Sequence, residues 1–109
     1  MKDYRIYLRD ILKAMEDIQS FVGEMNFEGF QQDDKTASAV IRKLEIIGEA
    51  AKQIPKEVRE EYPSVPWQDM AGMRDKLIHA YSDVDLALVW RVVKEDNPRL
   101  RRSIEMILE

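Results

Sequence analysis

The stretch GMRDKLIHAYSDVD, residues 72–85, holds the only histidine of the chain, His79. Arg74 stands five residues before it and Tyr81 two residues after it. An imidazole exchanges a proton near neutrality, and a guanidinium is a permanent cation with a planar fork suited to phosphate oxygens. Each residue also has a plain structural reading. A lone histidine is commonly a surface or boundary residue. A tyrosine on an apolar arc is commonly a core residue with one hydrogen bond. The spacing alone does not decide between chemistry and packing.

Composition narrows the chemistry. With 109 residues, 45% hydrophobic and 35% charged, the chain suits one compact domain, residues 1–109. It has no cysteine, which excludes thiol catalysis, disulfides and Cys-based zinc sites. One histidine leaves a metal site with almost nothing but carboxylates, and no acidic cluster has calcium-loop spacing. The expectation is therefore no metal and no cofactor. The charged opening MKDYRIYLRD lacks the pattern of a signal peptide, and no apolar run has membrane-spanning length. A cytoplasmic protein with no membrane association is expected. The net charge of −4 argues against a broad nucleic-acid-coating surface but leaves room for a local basic cleft. RLRRS, with Arg99, Arg101 and Arg102, could hold phosphates or simply form a solvated helix face.

The elements that must carry these residues are helical. Tyr4, Leu8, Ile11, Met15, Ile18 and Val22 alternate four and three apart, which predicts an amphipathic helix over about residues 3–22. GEMNFEGFQQDD then reads as a break, with two glycines and a polar run. A second helix is predicted from about Asp34 to Ile54, its main stripe Ala37, Val40, Ile41, Leu44, Ile47, Gly48, Ala51 and Ile54. Ala39, Ile46 and Ala50 fall on its other side, so it must be sandwiched, within its own bundle or against another chain. Pro55 opens a short helix, Pro66 the helix that carries the histidine, and Asp83 or Asp85 caps a last pattern of Leu86, Val89, Trp90 and Val93. Pro98 should kink or split that last run. The fold class expected is all-α, an antiparallel bundle of four to five helices.

On a helical wheel over residues 67–81, Trp67, Met70, Ala71, Met73, Leu77, Ile78, Ala80 and Tyr81 share one broad arc with Arg74 in its middle. A guanidinium cannot be left unpaired in a packed core. Arg74 must pair with an acid such as Glu45 or Glu49, or line a cleft. His79 lies ~140° away around the wheel, which is unfavourable for one shared site. Either the helix loosens before His79, or a second copy of the chain completes the site.

RDKLIHAY resembles the Arg-x4-His-x-Tyr signature of HEPN-superfamily ribonucleases, in the branch of HepT-type toxins. AVIRKLEIIGEAAKQIP, residues 39–55, looks like that branch's second helix, and PSVPWQDMAGMRDKLIHAYSDVDLALVW like its central block. The resemblance covers about residues 4–108. It implies a metal-independent endoribonuclease, the toxin of a toxin–antitoxin module, acting on RNA as a homodimer with Arg74 and His79 in a cleft at the subunit interface. It also implies an MntA-type minimal nucleotidyltransferase antitoxin as partner, transferring AMP to Tyr81. Many relatives carry Asn after the arginine, where this chain has Asp75, and an ionised Asp75 beside the cleft would repel phosphate. The competing expectation is a catalytically silent helical adaptor that binds a nucleotidyltransferase. Arg74, His79 and Tyr81 favour the enzyme, whereas Asp75 and the acidic balance favour the adaptor.

Overall fold

The computed structural model describes residues 3–79 and 85–109, with the backbone alone for residues 74 and 76–79. The described residues form helices joined by short turns, with no strand among them. Helix α1, Tyr4–Val22, begins where the Asp3 carboxylate accepts from the Arg5 N–H at 3.0 Å. It buries Leu8, Ile11, Met15, Ile18 and Val22 of the expected stripe, leaves Tyr4 half-buried, and adds Ala14. Its last helical bond runs from the Gly23 N–H to the Gln19 carbonyl, and the Gly23 φ of 53° then turns the chain out of the helix.

The stretch read as a break contains a helix, α2, Phe27–Gln32. Asn26 caps it, its side-chain oxygen accepting from the Gly29 N–H at 2.8 Å. A Cβ on Gly29 would lie 3.3 Å from that oxygen, so the glycine that suggested a loop allows the tight cap. Phe30 drives the segment inward: it is completely buried, with its ring 5.1 Å from that of Trp90. Tertiary contact overrides local polarity here.

Helix α3, Asp34–Lys52, is the centre of the fold. Asp33 caps it by accepting from the Thr36 N–H at 3.0 Å and the Thr36 hydroxyl at 2.7 Å. The Thr36 backbone bond, followed by the hydroxyl, holds the Asp33 carboxyl below its ordinary pKa. Among the described residues the most extensive helix pairings are α3 with α5 and α3 with α1. Of the residues on the second apolar side of α3, Ala50 is buried in the bundle, whereas Ala39 and Ile46 are only half-buried. Asp17 of α1 binds Lys43 of α3 at 3.0 Å and Lys13 at 2.6 Å. These hydrogen bonds, Lys13 first, depress the Asp17 carboxyl as well.

Pro55 precedes α4, Lys56–Glu61, which buries Val58. Helix α5, Trp67–His79, starts after Pro66, whose carbonyl accepts from the Met70 N–H at 3.1 Å. The Trp67 indole donates to the Tyr62 carbonyl at 3.1 Å, tying the start of α5 to the end of α4. Of the two candidate caps for the last run, Asp85 accepts from the Ala87 and Leu88 N–H groups, while Asp83 lies outside the described residues. Helix α6, Leu86–Arg91, passes through a π-helical turn, Val92–Asp96, into α7, Asn97–Leu108. Pro98 brings no N–H to the Lys94 carbonyl, and the Asn97 N–H reaches back five residues to Val92. The proline therefore splits the run by widening one turn. Asn97 is buried there, its amide donating to the Met15 carbonyl of α1 at 3.2 Å.

Against four to five expected helices, the described residues show seven α segments, three of them only six residues long. The difference lies in α2 and in the division of the last run. No helix among the described residues is long and apolar enough to cross a membrane.

Candidate functional site

Helix α5 has to present the chemistry, and its first half is firmly seated. Trp67 and Met70 are buried, and Ala71, Gly72, Met73 and Asp75 are half-buried. The helix stays α-helical through His79. The loosening considered from the wheel does not occur within it. On such a helix Arg74 and His79 stand ~140° apart and ~7.5 Å along the axis. Asp75 occupies the shorter arc between them, ~100° from Arg74 and ~40° from His79, one turn before the histidine. Tyr81 lies outside the described residues, as do the side chains of Arg74 and His79.

Asp75 is held from the neighbouring helix. The Lys52 ammonium, from the last turn of α3, lies 2.8 Å from its carboxylate, with both side chains partly exposed. Composition and periodicity gave no sign of this contact. Lys52 reads in the sequence as an ordinary last-turn cation, and only the packing of α3 on α5 brings it to the signature. Of the two acids considered for Arg74, Glu45 accepts from Arg42 within its own helix at 3.4 Å. Glu49 stands on the exposed side of α3, lining an open groove with Tyr7, Asp10, Ile46, Ala50, Lys52 and Gln53. That groove encloses about 550 Å³, and its lining residue Lys52 is the one that pairs with Asp75 of α5.

Two of the three arginines in the cluster of the last helix, Arg99 and Arg101, are engaged within the fold. Arg101 binds Glu105 at 3.0 Å, Gln19 at 3.0 Å and Glu16 at 3.4 Å, and Arg99 binds Asp96 at 3.3 Å. Much of its charge is spent on neighbouring acids, which favours the solvated-face reading over a phosphate site.

An all-helical bundle with Arg74 and His79 on one unbroken helix, α5, defines a class in which a basic fork and an imidazole share one element. The chain belongs to the ribonuclease HepT-like family, whose model matches residues 11–107. It is 50% identical over 106 residues to "Probable ribonuclease HepT" of Thermococcus cleftensis, covering 97% of this chain and 96% of that one. It is 45% identical over 108 residues to "Putative RNase MJ0125" of Methanocaldococcus jannaschii, covering 99% and 93%. A further relative, from Caldanaerobacter subterraneus subsp. tengcongensis and also carrying an RNase name, is 43% identical over 109 residues, covering 100% and 97%. No solved structure gives a significant match.

Proposed function

We propose that this protein is a metal-independent endoribonuclease that works as a homodimer. The observation that carries the reading is the placement of Arg74 and His79 on one continuous helix in a chain whose relatives bear ribonuclease names. One chain has one imidazole, whereas cleavage of RNA without a metal needs both a base and an acid. A twofold dimer brings two histidines and two arginines to one groove and removes the difficulty of the ~140° separation. Arg74 of one subunit then works opposite His79 of the other. One imidazole takes the proton of the ribose 2′-hydroxyl while the 2′-oxygen bonds to phosphorus. The P–O5′ bond breaks, and the second histidine, as imidazolium, returns a proton to the 5′-oxygen. The guanidinium forks hold the negative charge that builds on the phosphorane.

Metal independence rests on a residue inventory with no cysteine and one histidine. An oligoribonucleotide incubated with the protein in EDTA should be cleaved to products ending in a 2′,3′-cyclic phosphate. Loss of cleavage on chelation, or equal cleavage of DNA, refutes the mechanism. The silent-adaptor reading drew on Asp75, and the Lys52 contact weakens that argument.

The finer reading is that this ribonuclease is a toxin silenced by an MntA-type nucleotidyltransferase that transfers AMP to Tyr81. Tyr81 stands one heptad after Arg74, so on a continued helix the two would lie ~20° apart. A phosphodiester on Tyr81 would add a negative charge and bulk where Arg74 should meet RNA phosphate. Incubation with such a partner and ATP should raise the mass of the protein by one or more AMP units, and Tyr81→Phe should abolish the increase. An unchanged mass for the native protein, or undiminished transfer to the Phe variant, removes the assignment.

A further inference from the structure

The Lys52–Asp75 pair sits where the proposed chemistry can least accept an uncompensated acid. Asp75 lies ~40° from His79 around α5 and one turn before it, so a phosphate held at the His79 end of a composite site has this carboxylate beside it. Asp10 and Glu49 line the adjoining groove, and among its described lining residues Lys52 is the one cation. A polyanion entering there passes acidic side chains, and the Lys52 ammonium stands 2.8 Å from the carboxylate within the signature. Both members of the pair are substantially exposed, at 40% and 49%, so the contact itself contributes little to folding. Its consequence is electrostatic.

We infer that Lys52 is a positioning residue of the ribonuclease site, acting through Asp75: it offsets the acid beside the signature and so lets the RNA backbone approach. The inference rests on the ribonuclease reading and adds to it a residue from a different helix. Lys52 does not touch the reacting atoms. It sets the field in which the phosphate is held, so its effect belongs to substrate binding and weakens as salt screens the groove.

A charge cycle tests this. Lys52→Met should raise KM for an oligoribonucleotide about fivefold at low salt, leave kcat within about twofold, and lose most of its effect at high salt. Lys52→Arg, which keeps the cation, should stay near the wild-type KM. Lys52→Met combined with Asp75→Asn should return KM close to the wild-type value, because the acid that needed compensation has gone. All variants should melt close to the wild type, and a variant that does not is replaced in the comparison by Lys52→Gln. An unchanged KM in Lys52→Met overturns the inference. A raised KM that Asp75→Asn fails to rescue also overturns it, since Lys52 would then contact phosphate directly. So does a collapse of kcat at unchanged KM. If the wild type and His79→Ala cleave RNA equally, the ribonuclease reading fails instead. The same cycle, read as affinity for a fluorescent oligoribonucleotide, then judges Lys52 by the same criteria, and a wild type that binds no RNA overturns the inference too.

Discussion

Replacing His79 with alanine should lower the rate of RNA cleavage by a factor on the order of 10² to 10⁴ while leaving the fold intact. The size follows from the residue count. With one histidine per chain, the substitution removes the base and the acid from a dimeric site together, and no second imidazole can take over. The position supports the second half of the expectation. His79 is the last residue of α5, whereas the seating of that helix depends on Trp67 and Met70 in its first half. The measurement is single-turnover cleavage of a labelled oligoribonucleotide beside a thermal melt. A variant that keeps more than about a tenth of the wild-type rate would show that His79 is not the proton-transfer group. A chimera of wild-type and variant subunits adds resolution, since a composite site should lose most of its turnover when either subunit lacks the imidazole.

The second large effect is on stability. Phe30→Ala should destabilise the protein by about 3–5 kcal/mol, a large fraction of the ~5–15 kcal/mol that holds a domain folded. Phe30 is completely buried and packs on Trp90, which also meets Phe27 at 6.1 Å. Truncation removes the transfer free energy of the ring and opens a cavity between α2 and α6. It also releases the short helix that only this side chain anchors deeply, since α2 buries no other residue. Urea unfolding followed by tryptophan fluorescence reads the change directly, because Trp90 reports on the same contact. A loss below about 1 kcal/mol would mean that α2 is peripheral to the core.

The contrast between the two sites follows from where their information lies. His79 and Arg74 are visible in the chain because their types and spacing within one helix are local properties. The same holds for α1 and α3, whose stripes repeat at helical spacing, and for the disruption at Pro98, which follows from a missing N–H. Even the sandwiching of α3 was legible, since apolar residues on both sides must be covered by something. Which neighbours covered them was not.

Local sequence therefore determined the helical class, the long amphipathic helices and the candidate chemistry of Arg74, His79 and Tyr81. The three-dimensional packing decided what depends on partners distant in the chain. Phe30 turned a polar, glycine-containing stretch into a helix because Trp90 stands 60 residues away in sequence but beside it in space. Asn97 could be buried because the Met15 carbonyl on α1 receives its amide. Lys52 came to Asp75 because α3 lies against α5. Periodicity states which side of a helix must leave water, but not which residue of another helix it will meet. That second fact is set by the crossing of elements whose partners are selected by packing and by the pairing of charges, and no spacing within one helix encodes it.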